Sequence, residues 1–173
     1  MHKPGFAGRH LFWMIATACA AVVALSAGPA SAATPRCSTL RTVVWLDTQG
    51  NGAAGSIFYN LMFTNLAGYS CTLAGYPGVS AVNIAGQQLG SPAKRNPQHA
   101  PHTVTLAPGA SAKAVLQISE AANFANASCR RTTAAGLRAY PPNQTTSKIV
   151  PFPFQACSRS GPVFLFVEAV QHA

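Results

Sequence analysis

The sequence predicts an all-β fold, an immunoglobulin-like β-sandwich of about seven to nine short strands carrying two disulfides. Three observations lead there. Runs of β-branched and aromatic residues recur at short spacing, at 42–46, 57–65 and 163–170 among others. Gly and Pro, 14 and 13 in number, punctuate the intervals between these runs. Local helix character is confined to 119–126, where Ser119 is placed to cap a turn or so. Strand order does not follow from one sequence, so a jelly roll or a small barrel is the alternative.

Taken in order, residues 1–32 read as a Sec-type signal peptide. Lys3, Arg9 and His10 precede an uncharged apolar run over 11–27, and Ala30-Ser31-Ala32 offers small residues for cleavage after Ala32. Cys19 lies inside the apolar run, with Ala16 where a lipoprotein signal wants a larger aliphatic residue, so it leaves with the signal. This predicts a secreted or extracytoplasmic protein with no transmembrane segment after cleavage, and a single domain over 33–173.

Four cysteines remain: Cys37, Cys71, Cys129 and Cys157. An even count in an exported chain implies two bridges, and three pairings are formally open. Spacing favours Cys37–Cys71 and Cys129–Cys157, because each then closes a local loop, worth roughly 3.5 kcal/mol by the chain-entropy relation. No C-x-x-C occurs, which argues against a zinc site or a dithiol redox centre.

The first strand is expected over 42–46, with Asp47 at its end and the glycine-rich stretch 49–55 as a flexible hairpin loop. That loop lacks the Lys-Ser/Thr ending of a phosphate-binding loop and leads into a strand. Residues 57–65 carry large apolar groups on both faces, Tyr59, Leu61 and Phe63 on one and Phe58 and Met62 on the other, as a central strand does. A turn at Gly68, a short strand with Cys71 and Leu73, and a Gly-Tyr-Pro-Gly bend lead to a strand over 79–84. Residues 86–101, broken by Pro92, Pro97 and Pro101, read as an irregular surface loop of the kind that binds ligands. Strands follow over 103–106 and 112–118 around a Pro108-Gly109 turn, then over 136–140. Residues 147–154, carrying Pro151 and Pro153, suit an edge strand, and 163–170 form the last one.

Charge excludes several functions. Twelve Lys and Arg oppose three acids for a net +9, or +7 once Lys3 and Arg9 have left. This favours weak contact with anionic cell-wall or envelope components. Only Lys94-Arg95 and Arg130-Arg131 are adjacent basic pairs, and neither is interleaved with aromatics, which speaks against specific nucleic-acid binding. Asp47, Glu120 and Glu168 are the only acids, which leaves little for paired-carboxylate chemistry, and no G-x-S-x-G presents a nucleophile for a triad using Asp47. His99 and His102 form an H-x-x-H that, with His172, is the sole metal candidate, but Pro101 prevents the regular helix that would align them. Asn65 and Tyr76 look most like site residues; turn chemistry assigns both an architectural role, with a cis Tyr76–Pro77 bond as one form of it.

In combination these pieces resemble a family of actinobacterial exported proteins known as a domain of unknown function (DUF4232-like). The carrying residues are Cys37, Gly52 and Gly55, Phe63-Thr64-Asn65, Cys71, Gly75-Tyr76-Pro77-Gly78-Val79, the Leu106–Ala112 stretch, and Cys129 with Cys157. The resemblance implies a β-sandwich outside the cytoplasm and carries over no catalytic residue, cofactor or known partner. A non-catalytic binding or structural module of the envelope or secretome is therefore expected. A secreted hydrolase with an unfamiliar site and a metal-binding envelope protein are the alternatives.

Overall fold

The second strand organises the fold, and its flanks show why. In a computed structural model that describes residues 1–2, 5 and 32–173, β2 (Ser56–Asn65) lies between β1 (Thr42–Ala53) and β8 (Ser111–Ser119), antiparallel to both. Leu61 and Phe63 point inward and are fully buried. Their outward neighbours Met62 and Thr64 are half-buried, the alternation a one-sided sheet requires. The signal-peptide reading falls on residues that, apart from positions 1, 2, 5 and 32, lie outside the described ones. Ala33–Ala173 form a unit separate from Met1–Ala32.

The larger sheet runs β1-β2-β8-β11-β6, with β11 at Leu165–Val167 and β6 at Lys94–Arg95, and β12 (Gln171–His172) also pairs β8. A second sheet runs β10-β9-β4-β5, comprising Lys148–Cys157, Arg131–Tyr140, Gly78–Val82 and Gln88–Leu89. β3 (Cys71–Ala74) and β7 (Thr103–Leu106) form a separate pair. Of these twelve strands, β5, β6 and β12 have two residues each, which leaves nine longer ones. Leu61, Phe63, Leu116 and Leu165 from one sheet and Val79, Leu137, Ala139 and Val150 from the other share a single buried core. The protein is all-β, without a closed barrel, and sandwich-like as expected.

Both bridges form as the spacing suggests, Cys37–Cys71 and Cys129–Cys157, 34 and 28 positions apart. All four half-cystines are buried, so the bridges belong to the core.

Several boundaries differ from the sequence reading. The glycine-rich stretch is not a loop: β1 continues through Gly50 and Gly52 to Ala53. A bulge between Asp47 and Asn51 absorbs the surplus residues. Gly50 permits it, since a Cβ there would meet Ile57 and Tyr59 side-chain carbons at 2.6 Å. The chain reverses at Ala54-Gly55, both at positive φ (47° and 74°), as a tight hairpin turn demands. Asp47 therefore lies within β1, and its carboxylate accepts the Gln49 N–H at 3.2 Å.

The 86–101 segment contributes β5 and β6 to the two sheets. Of the last strand expected over 163–170 only Leu165–Val167 (β11) forms: the Glu168 N–H still bonds Val115 of β8, but the Val170 N–H turns to the Gly75 carbonyl, and β12 begins beyond it at Gln171. Ser119 caps no helix: its hydroxyl bonds Ser56 at 3.1 Å, and a 3-10 turn, Ala121–Asn123, precedes the four-residue α1 (Asn126–Cys129). No described peptide bond is cis, so Tyr76–Pro77 is trans.

Candidate functional site

The two sheets part at one end of the sandwich. Tyr59 and Ile57 lie on the same inward face of β2 as Leu61 and Phe63, yet are only half-buried. Opposite them, β10 is the outer strand of its sheet, and its pairing with β9 shifts register between Pro151 and Phe154. Proline tolerates this position because an edge strand need not donate outward. Gly136 lets the irregular stretch press close, since a Cβ there would run into the Val150 carbonyl and come within 3.2 Å of the Phe152 nitrogen. Phe152 and Phe154, one side-chain period apart, turn toward the opposing sheet.

A cleft of about 380 Å³ results, walled by Ile57, Tyr59 and Ile118 from one sheet and Phe152 and Phe154 from the other. Tyr59 meets Phe152 edge-on at 5.0 Å between centroids, and Phe152 lies 5.9 Å from Phe154, an edge-to-face contact that fixes the rings relative to one another. Glu120 and Arg131 stand at the cleft from the two sheets' ends. Glu120 follows β8, and its N–H bonds the Gly55 carbonyl at 2.9 Å, tying it to the β1–β2 turn. Arg131 opens β9 two residues after Cys129, opposite Cys157. Size and lining match a small-molecule site, mostly apolar with a few polar groups.

The residues singled out in the sequence lie elsewhere. His99 Nδ1 contacts the Glu168 carboxylate at 2.9 Å, and Asn96 bonds the other oxygen at 3.4 Å. His102 Nδ1 faces the Ala100 carbonyl at 3.4 Å, and His172 lies in β12. Among the described residues no three His, Cys, Asp or Glu side chains gather as a metal site would require. Asn65 is architectural: its amide donates to the Tyr69, Leu106 and Ala107 carbonyls and accepts the Ala67 N–H. The Arg95 guanidinium sits 5.3 Å over the Tyr76 ring, within cation–π range. Among the described residues the Asp47 carboxylate bonds the Gln49 N–H and no histidine, so no triad forms around it there.

Sequence reasoning missed the cleft. Phe152 and Phe154 were legible as aromatic residues alternating with prolines on an edge strand. What places them opposite Tyr59 is a contact between residues far apart in sequence.

No described helix is long and apolar enough to cross a membrane. No curated protein and no solved structure matches the chain. A family model does match, over residues 37–170, a span that holds all four paired cysteines, Asn65 and both walls of the cleft. The chain belongs to the family described as Domain of unknown function (DUF4232).

Proposed function

We propose that the protein is an exported, non-catalytic binding module of the cell envelope or secretome, and that its aromatic cleft is where it binds. The cleft is the observation that carries this reading: apolar, open to solvent and about 380 Å³. Its lining holds Ser119, whose hydroxyl already bonds Ser56. Two disulfides support a location where thiols oxidise. The excess of basic residues supports residence near anionic envelope components.

The test is binding of the uncharged fluorophore N-phenyl-1-naphthylamine to the purified, oxidised protein. Saturable enhancement that Phe152→Ala and Tyr59→Ala each weaken is expected. Wild-type protein that gives no enhancement would remove the cleft from consideration. Turnover of an ester, glycoside or peptide substrate, lost on Asp47→Ala, would replace the binding reading with a hydrolase.

A further inference from the structure

The cleft carries two formal charges of opposite sign, both on exposed side chains and neither with a partner among the described residues. Glu120 and Arg131 make no ion pair with each other or with any described residue. Neither side chain takes part in a hydrogen bond among the described residues, although Gln155 beside them does, to Thr133 at 3.2 Å. They come from different sheets. The Glu120 backbone is fixed through Gly55 and through the Asn123 N–H, which bonds the Glu120 carbonyl at 3.0 Å. Arg131 is fixed by the β9–β10 ladder, and its N–H bonds the Asn126 side chain at 3.3 Å. The rings of Tyr59, Phe152 and Phe154 line the same cleft.

Such a site complements one pattern of ligand. An isolated anion would meet Glu120, and an isolated cation would meet Arg131. A wholly apolar molecule would use the aromatic wall alone and gain nothing from either charge, both of which stand exposed to water. We infer, resting on the binding role assigned to the cleft, that it takes a small zwitterion with an apolar body, such as an apolar α-amino acid. The ammonium faces the Glu120 carboxylate, the carboxylate receives the Arg131 guanidinium, and the side chain packs on the aromatic wall. Arg suits the carboxylate end because its planar fork can donate two parallel bonds.

Competition against bound N-phenyl-1-naphthylamine tests this, with three ligands differing by one charge each: L-phenylalanine, L-phenylalanine amide and N-acetyl-L-phenylalanine. The zwitterion should displace the probe at roughly two- to fivefold lower concentration than either analogue, the worth of one ion pair formed at exposed side chains. Arg131→Gln should erase the advantage over the amide, and Glu120→Gln the advantage over the N-acetyl form. If the probe binds and the three ligands compete equally or not at all, the zwitterion inference falls and the cleft stands. If the probe does not bind to wild-type protein, the cleft reading falls and takes this inference with it.

Discussion

Replacing Asn65 by alanine is the sharpest perturbation of the fold. Asn65 is 1% exposed. Its Nδ2 donates to the Tyr69 and Leu106 carbonyls at 2.9 and 3.0 Å, with a longer contact to Ala107 at 3.3 Å, and its Oδ1 accepts the Ala67 N–H at 2.9 Å. Three short bonds at about 1 kcal/mol each set the lower bound, and stranding the buried Ala67 and Leu106 groups adds to it. A loss of about 3–5 kcal/mol follows, a large share of the roughly 5–15 kcal/mol that holds a domain folded. With a urea slope of about 1–3 kcal/mol/M, the unfolding midpoint of the oxidised protein should fall by roughly 1–5 M without a change of slope. Asn65→Asp, nearly identical in shape, keeps the acceptor for Ala67 but turns an oxygen toward three carbonyls, so it should cost at least as much. A midpoint lowered by less than about 0.5 M for both variants would refute the hub.

Three further outcomes follow from the same coordinates. Replacing Cys129 and Cys157 together by alanine should cost about 3.5 kcal/mol through the loop they close, 28 positions long. Thermal unfolding compared with the Cys37/Cys71 double variant, of similar expected cost, measures it. Gly136→Ala should destabilise by about 1–3 kcal/mol, because the new Cβ drives against the Val150 carbonyl and the Phe152 nitrogen. It should also weaken N-phenyl-1-naphthylamine binding by moving Phe152. His99→Ala should change stability by less than about 1 kcal/mol, since that ring is half exposed and its contact with Glu168 is screened by water; a urea midpoint lowered by 1 M or more would contradict it.

The sequence made the architecture legible where a local pattern determined it. Period-two alternation located β2 and β8, the Pro108-Gly109 turn joined β7 to β8, and cysteine spacing alone favoured the bridges that form. Expectation failed where tertiary contact overrode local chemistry. Gly50 and Gly52 look like loop residues, yet both belong to β1: Gly52 pairs with Ile57 in the β2 ladder, and at Gly50 a Cβ would collide with Ile57 and Tyr59. The last strand stopped short because the Val170 N–H found the Gly75 carbonyl, outside the β8 ladder. Asn65 was assigned a turn role from its neighbours, and it holds one, but its bonds to Leu106 and Ala107 join segments more than forty positions apart. The cleft was invisible for the same reason: Glu120 and Arg131 read as scattered surface charges until two sheets bring them to one opening.

The two bridges neither interleave nor enclose one another, and this shapes how the polypeptide matures. Cys71 follows its partner Cys37 by 34 positions, and synthesis then needs several further seconds, at about 5–20 residues per second, before Cys129 appears. In the exported protein proposed above, with the signal and Cys19 removed, oxidation within that interval finds Cys37 as the single mate of Cys71. Material denatured and reduced as a whole loses that ordering and faces all three combinations at once.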